Sequence, residues 1–214
     1  MEIRPAEKLS ELIQAGEVIH DAYVGEGIIK PEPSGVFLHS QHLTKQGMLM
    51  VAIEDNVVIG TVGSIIDSTY GLPLDNVFGS ELKRLRSNHD KIAECGVIAS
   101  SERLRPSVID TMIGYSLWWL MHMGVDFIVT SCHPDHTAFY VKRYGLEVLA
   151  PIPSRMGDKP VARYPKFGMK LVEMPGISLR QLLTNENKGA RLFRADPKDE
   201  KFFEKRYLPA ALPI

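Results

Sequence analysis

The stretch 92–145 leaves this chain the fewest choices. An apolar run at 92–99 is followed by a turn, a helix-patterned segment from Pro106 to Met123, a second short apolar run at 127–130, and a segment opened by Pro134 that closes at Gly145. Strand, helix, strand, helix in that order predicts two parallel strands joined by a right-handed crossover, because a tight hairpin cannot connect parallel neighbours. The loops leaving the carboxyl ends of such a pair frame a crevice, and ligands of open sheets sit there. Pro106 suits a first helical turn and Asp110 lies near its positive end. Val108, Ile109, Met112, Ile113, Leu117, Leu120 and Met121, with Tyr115, Trp118 and Trp119, cover more than one face. This helix is therefore expected between the sheet and a further layer or a partner subunit.

With 214 residues, 44% of them hydrophobic, the chain can bury one full core and carry an appendage. Its 25 basic and 26 acidic residues give a formal charge of -1. That balance supplies no long-range field for polyanions, and no reading motif is present, so no nucleic-acid partner is expected. Cys95 and Cys132 fall in or beside core strands and read as buried free thiols rather than a disulfide. The first sixteen residues have no apolar h-region, and the most apolar stretch, 113–123, is too short to span a bilayer. A cytoplasmic protein is the expectation.

Along the rest of the chain, Leu9, Leu12, Ile13 and Ile19 recur at helical spacing and predict a helix over 5–23, ended by Gly25 and Gly27. Residues 28–46, with Pro31, Pro33, Gly35 and two histidines, read as a lid or crossing loop. Strands at 48–53 and 57–66 around Glu54-Asp55-Asn56 form a hairpin. Segment 67–88 joins Leu72-Pro73-Leu74 and Val77-Phe78 to helical turns at 81–86, as an element covering the edge of a pocket does. After Gly145 come a strand at 146–149, a Pro-rich loop at 151–165 and a strand at 167–172, ordered as an antiparallel pair. The expected organisation is one domain over 1–174 and a C-terminal appendage over 175–214, which begins with an apolar turn at 177–183.

Several of these pieces together carry a resemblance. Ile59-Gly60-Thr61-Val62, then Gly71-Leu72-Pro73-Leu74-Asp75 leading to Glu81-Leu82 and Leu85-Arg86, then Ala93-Glu94, and Pro134-x-His136-x-x-Phe139-Tyr140 before Gly145-Leu146, resemble in order and spacing the long-chain N-acyl amino acid synthases. That family is related to the acyl-homoserine-lactone synthases and, more distantly, to the GNAT acyltransferases; the match runs from the first helix to the strand near Leu171. The resemblance implies an α/β (α+β) GNAT-like fold, with a mixed, mostly antiparallel twisted sheet, a central parallel strand pair and helices on both faces. It also implies an N-acyltransferase that moves a long-chain fatty acyl group from the phosphopantetheine thioester of acyl carrier protein to the amine of an amino acid. Such an enzyme binds no permanent cofactor, and its lipid product suits release near a membrane. One departure bears on the donor. The GNAT turn Arg/Gln-x-x-Gly-x-Gly/Ala presents backbone N–H groups to the coenzyme A pyrophosphate, whereas here the turn is Ser100-Ser101-Glu102-Arg103-Leu104-Arg105-Pro106. Without glycine the backbone approaches a diphosphate less closely, which favours a carrier-protein donor. Coenzyme A is the alternative donor, in a GNAT N-acetyltransferase; a non-catalytic acyl-binding protein is the alternative function.

Amide formation from a thioester needs a neutral amine held against the carbonyl, a donor to the oxyanion and a proton for the departing sulfur. If the two parallel strands part after Ala99 and Thr130, the backbone of Val97, Ile98 and Ala99 is exposed to a thioester arm; an unbroken ladder is the alternative. Glu94 is a carboxylate in an apolar strand, so it must be paired or protonated. The resemblance sets it near the acceptor, to orient or deprotonate the amine, and a salt bridge to Arg84 or Arg86 is the structural alternative. Tyr140, four residues past His136 and on the same helix face, is implied to protonate the leaving thiolate, or else packs its ring and wets its hydroxyl. His136, at its helix start, contacts phosphate or the acceptor's carboxylate, or caps the loop. Cys132, His133, Asp135 and His136 are too crowded to close a tetrahedron, so no metal is expected. Arg103 and Arg105 stand at the expected donor entrance, for phosphate or acidic carrier side chains. Arg86, on the pocket-covering segment that also carries Glu81 as a substrate-binding candidate, could pair with the acceptor's carboxylate. Leu72, Leu74, Val77, Phe78 and the helix face carrying Trp118 would line an acyl groove, where each buried CH₂ contributes about 0.8 kcal/mol; each reads equally well as core.

Overall fold

The computed structural model describes residues 1–101, 104–132, 134–151 and 173–178. Its elements are β1 (Glu2–Pro5), α1 (Leu9–Gly25), β2 (Gly47–Glu54), β3 (Val57–Ile66), α2 (Asp75–Asn88), β4 (Ile92–Ser100), α3 (Pro106–His122), β5 (Phe127–Val129), α4 (Pro134–Tyr144), β6 (Glu147–Pro151) and β7 (Glu173–Ser178), with a 3-10 turn at Ser40–Leu43. The strands form one sheet in the order β1-β2-β3-β4-β5-β7-β6. The β4/β5 pair is parallel and the other pairings are antiparallel. The parallel pair is the one the crossover pattern required, and the mixed, mostly antiparallel sheet around it is the one the resemblance implied.

The β2/β3 hairpin turns on Asp55 and Asn56, both at positive φ (50° and 65°), as a two-residue I′ turn demands. Two local expectations are corrected. The first helix starts at Leu9 and not at Pro5, which instead ends a strand that pairs with β2 from Glu2↔Ile53 to Pro5↔Met50. Arg4, on this strand, forms a buried two-pronged bridge to Glu11 of α1, both bonds 2.8 Å, and so joins strand to helix. A four-residue strand next to a helix carries too short a pattern to be read in the sequence. The inner face of α1 is also not its most apolar one. Glu11, Ala15, Gly16, Ile19 and His20 are buried, whereas Leu9 is 70% exposed and Ile13 41%. Gly16 explains the rotation. A Cβ there would sit 2.5 Å from Val36, and the Gly16 carbonyl accepts the Phe37 N–H at 3.0 Å, so segment 28–46 packs directly on the helix backbone.

The last strands also differ in position. The strand expected at 146–149 is β6, Glu147–Pro151, and its antiparallel neighbour β7 runs through the boundary expected at 174/175. The loop at 152–165, the strand expected at 167–172 and the appendage beyond 178 lie outside the described residues.

One face of the sheet is covered by α3 and α4, around a core that includes Met50, Val62, Met112, Leu120 and Ile128. Trp118 is buried there, its ring 3.8 Å from that of His122. The opposite face carries two separate clusters. Leu72, Leu74, Phe78 and Leu82 pack with Ile65, Ile92 and Val129 under α2. Ala15 and Ile19 of α1 pack with Leu49, Val51, Val97 and Ala99.

Candidate functional site

The site is organised by a strand that outruns its neighbour. β4 and β5 are paired at Ile92↔Phe127, Ala93↔Ile128 and Glu94↔Val129; β5 then ends while β4 continues to Ser100. The strands therefore part earlier than the sequence suggested, at Glu94 rather than after Ala99. Along its other edge β4 stays with β3 through a bulge, since the register passes from Gly63↔Gly96 to Thr61↔Ala99, three residues against two. Val97 sits in the bulge at φ 46°, a region that costs a β-branched residue about 1–3 kcal/mol. The extra residue shifts the alternation by one. Ile92 packs in the α2 cluster, and beyond the bulge Val97 and Ala99 pack in the α1 cluster on the same sheet face.

On the α3/α4 side a cleft of about 450 Å³ opens where the strands part, lined by Cys95, Ile98, Ile113, Leu117, Ile128, Val129, Thr130, Tyr140, Tyr144 and Leu146. That volume is open to solvent on one side, and the walls are largely apolar. Tyr140 is half-buried in the wall, and burial, with the nearby thiols of Cys132 and Cys95 adding to it, raises its phenol to about 12. The phenol is thus a proton donor at neutral pH. Burial likewise lifts the Cys95 thiol to about 11, which keeps it protonated and a poor nucleophile. The deeper Tyr144 is held by its hydroxyl, which donates to Asp110 at 2.9 Å and accepts from Arg143 at 3.2 Å.

Glu94 lies on the last rung before the strands separate, and it is buried. Its Oε2 accepts the backbone N–H of Leu74 at 3.0 Å. The loop that brings Leu74 there is clamped from both ends. Asp75 accepts the Leu72 N–H at 2.7 Å, and Arg86 makes four bonds of 2.6 to 2.8 Å to Asp67 and Asp75. Burial pushes the Asp75 carboxyl up, but the Arg86 and Leu72 bonds outweigh it and leave the group below its ordinary value. Asp75 and Asp67 together hold the Arg86 guanidinium further above its ordinary range. Arg86 therefore fastens the loop that holds Glu94, where the sequence had reserved it for the acceptor's carboxylate.

Other expected residues are dispersed. Leu72, Leu74 and Phe78 are buried on the Glu94 face and Trp118 on the opposite face, and the cleft wall is built from Ile98, Ile113, Leu117 and Ile128 instead. Glu81 is on α2, accepting the Ser80 hydroxyl at 2.7 Å. Arg105 is the exposed N-cap residue of α3. His136 belongs to the first turn of α4, while its side chain, like Arg103 and His133, lies outside the described residues. Sequence reasoning missed His42. It is buried, its Nδ1 has no hydrogen-bond partner among the described residues, and burial, helped by His39, depresses its pKa to about 3. A pair of histidines in an otherwise polar connecting segment was the available signal.

The family model of the N-acyl amino acid synthase FeeM matches residues 14–171. The chain belongs to this family. Membership makes it a GNAT-like acyltransferase, and the described sheet and flanking helices agree. The structure of FeeM itself, from uncultured soil microbes, is 18% identical with a TM-score of 0.69, covering 85% of this chain and 97% of that one. A coenzyme A-dependent acyl-homoserine lactone synthase, BjaI, is 15% identical with a TM-score of 0.57 over 82% of this chain and 79% of its own. The acyl-homoserine lactone synthase LasI is 16% identical with a TM-score of 0.57 over 86% and 93%. At such identities the likeness is one of fold. No curated protein sequence matches the chain.

Proposed function

We propose that this FeeM-family acyltransferase moves a long-chain acyl group from the thioester of an acyl carrier protein to the amine of an amino acid. The observation that carries this reading is the parting of β4 and β5 at Glu94↔Val129, with an apolar cleft on one face and a buried carboxylate on the other. A phosphopantetheine arm threaded through the gap completes the edge of β4 beyond Glu94, where the backbone of Val97, Ile98 and Ala99 binds the arm and the thioester oxygen. Glu94 takes a proton from the acceptor's ammonium, and the amine attacks the thioester carbonyl. As the tetrahedral adduct collapses, the C–S bond breaks, the thiolate takes a proton from the Tyr140 hydroxyl, and the second proton of the attacking nitrogen is lost to solvent, which restores the Tyr140 phenol. The protonated state of Cys95 supports direct attack over an acyl-enzyme.

The turn after β4 supports the carrier-protein donor. The Ser101 N–H donates to Ile59 at 2.9 Å and the Leu104 N–H to Ser101 at 3.1 Å, so both are spent inside the protein and not offered to a diphosphate. Arg103 and Arg105 meet the phosphate or the carrier's acidic side chains. A coenzyme A thioester is the second donor reading, favoured by the fold shared with the coenzyme A-dependent BjaI. Parallel reactions with one acyl chain on carrier protein or on coenzyme A, each with mixed amino acids, are read by mass spectrometry. N-acyl amino acids from the carrier reaction alone are the expected result. Product from coenzyme A alone would reverse the donor assignment, and product from neither would remove the reading.

A further inference from the structure

β3 and β4 face one another at Gly63↔Gly96, two glycines in the middle of the sheet. They are bare for different reasons. Over Gly63 the space is filled: a Cβ there would meet Val97 Cγ2 at 2.2 Å and His42 Nε2 at 2.6 Å, so close packing alone requires the glycine. Over Gly96, chain neighbours aside, the only described atom within 4 Å of a Cβ is Glu94 Oε1, at 3.9 Å.

The backbone does not ask for glycine at 96 either. Gly96 keeps its register partner ahead of the bulge, and the positive φ of the bulge falls on Val97. A glycine inside a strand weakens it, because it has more freedom to lose on folding and no side chain to pack. With packing and conformation set aside, the reason left is the close approach of another molecule to the backbone.

The surroundings fit that reason. Glu94, two residues earlier on the same strand, accepts the Leu74 N–H at Oε2, and its Oε1 borders the room over Gly96. On the β3 side the room is walled by the Val97 and His42 side chains that cover Gly63, since opposed Cβ positions in an antiparallel pair are roughly 5 Å apart. On the other edge β4 has lost β5, whose last residue, Val129, pairs with Glu94. Gly96 is accordingly half-buried, although Glu94, Cys95 and Val97 around it are buried. A molecule in this room touches the carboxylate on one side and the open edge of β4 on another.

We propose that Gly96 is a specificity-determining residue of the acceptor site: its missing side chain is the room in which the acceptor's amine stands between Glu94 and the thioester carbonyl. The inference rests on the acyl-transfer reading above and adds a steric limit to it. An amine bonded to Oε1 at roughly 3 Å takes up the place of the absent Cβ, so the acceptor class is a primary amine.

The test compares Gly96→Ala and Gly96→Val with the wild type, using one acyl thioester and two matched acceptors, an amino acid that the wild type acylates and its N-methyl derivative. Readouts are acceptor kcat/KM, donor hydrolysis without amine, and Tm. In Gly96→Ala the methyl meets nothing nearer than Glu94 Oε1, so Tm equals that of the wild type or exceeds it by up to about 4 °C. Acceptor kcat/KM falls by about tenfold in Gly96→Ala and by about a hundredfold in Gly96→Val, the effect of crowding an occupied space. The wild type prefers the primary amine, and Gly96→Ala widens that preference. Donor hydrolysis, whose water is smaller than any amine, is kept in both variants. Stability and acceptor turnover thus move apart, which a packing role for Gly96 would not produce. Unchanged acceptor kcat/KM in Gly96→Val, equal turnover of the two acceptors by the wild type, or a kinetic loss matched by falls in Tm and donor hydrolysis overturns the inference and leaves the acyl-transfer reading standing. A wild type that acylates amines other than amino acids overturns the acceptor in that reading, and the Gly96 comparison is then made with such an amine and its N-methyl derivative. A wild type that acylates no amine overturns both.

Discussion

Arg86 offers the sharpest separation between a residue that touches substrate and one that holds the site together. Its guanidinium spans Asp67 and Asp75 with four bonds of 2.6 to 2.8 Å, and its side chain is 33% exposed against 15% and 29% for the two carboxylates. Charge-assisted bonds contribute about 1.5–3 kcal/mol when dry and exposed pairs under about 1, so this half-shielded clamp is worth roughly 1 kcal/mol per carboxylate. Arg86→Met keeps the apolar stem and removes the clamp, a loss of about 2 kcal/mol, or about 4–8 °C in Tm for a chain of this size. Because the folded Asp75 carboxyl lies below its ordinary value, its contribution is present above about pH 4 and lost as pH falls through the folded value. The gap between wild type and variant should narrow over that window, and also in about 1 M salt, where the screening length drops to roughly 3 Å. Thermal melts across pH and salt measure both. In steady-state assays acceptor KM should rise, because the Leu74 N–H no longer sits firmly on Glu94, while amine-independent donor hydrolysis is unchanged. Equal melting temperatures at pH 7 in low salt, or a gap indifferent to pH and salt, would refute the clamp.

Tyr140→Phe should lower kcat by about 10²-fold with little change in KM, and the deficit should shrink with an aryl thioester whose thiolate leaves without a proton; an equal deficit for both donors would sink the acid role. Intact-mass analysis during turnover should show no acyl adduct on the buried Cys95, and a competent adduct there would replace direct attack by a two-step route. Glu11→Gln should cost about 3 kcal/mol by leaving the buried Arg4 with only the half-exposed Glu2 as a counter-charge. The Arg4 bond holds the Glu11 carboxyl at about 2, so the wild-type advantage in urea melts should be full above about pH 4.5 and fade toward pH 2; a pH-independent gap would contradict the pair's electrostatic origin.

Much of the framework was legible from local chemistry. The 92–145 pattern required a parallel pair, Pro106 and Pro134 mark the starts of α3 and α4, and Asp55-Asn56 make the hairpin turn. Such features depend on near neighbours in the chain, whose steric and hydrogen-bonding preferences act before any tertiary contact. A lone carboxylate between Ala93 and Cys95 was likewise conspicuous as a site residue, because an ion in an apolar strand needs a reason to be there. Which groups meet that carboxylate was a different matter. Leu74 contributes a backbone N–H, which no side-chain identity reveals, and Arg86 turns to Asp67 and Asp75 although its charge suited the acceptor equally well. The bulge at Val97 exchanges the faces of β4 with the positive φ on a β-branched residue and not on the adjacent Gly96, and His42 meets Gly63 only because a distant loop folds onto the sheet. Patterning along a chain specifies which face an element buries. Long-range packing alone decides which groups share the space left between two elements, because that depends on loop paths and strand register and not on any one residue's preference.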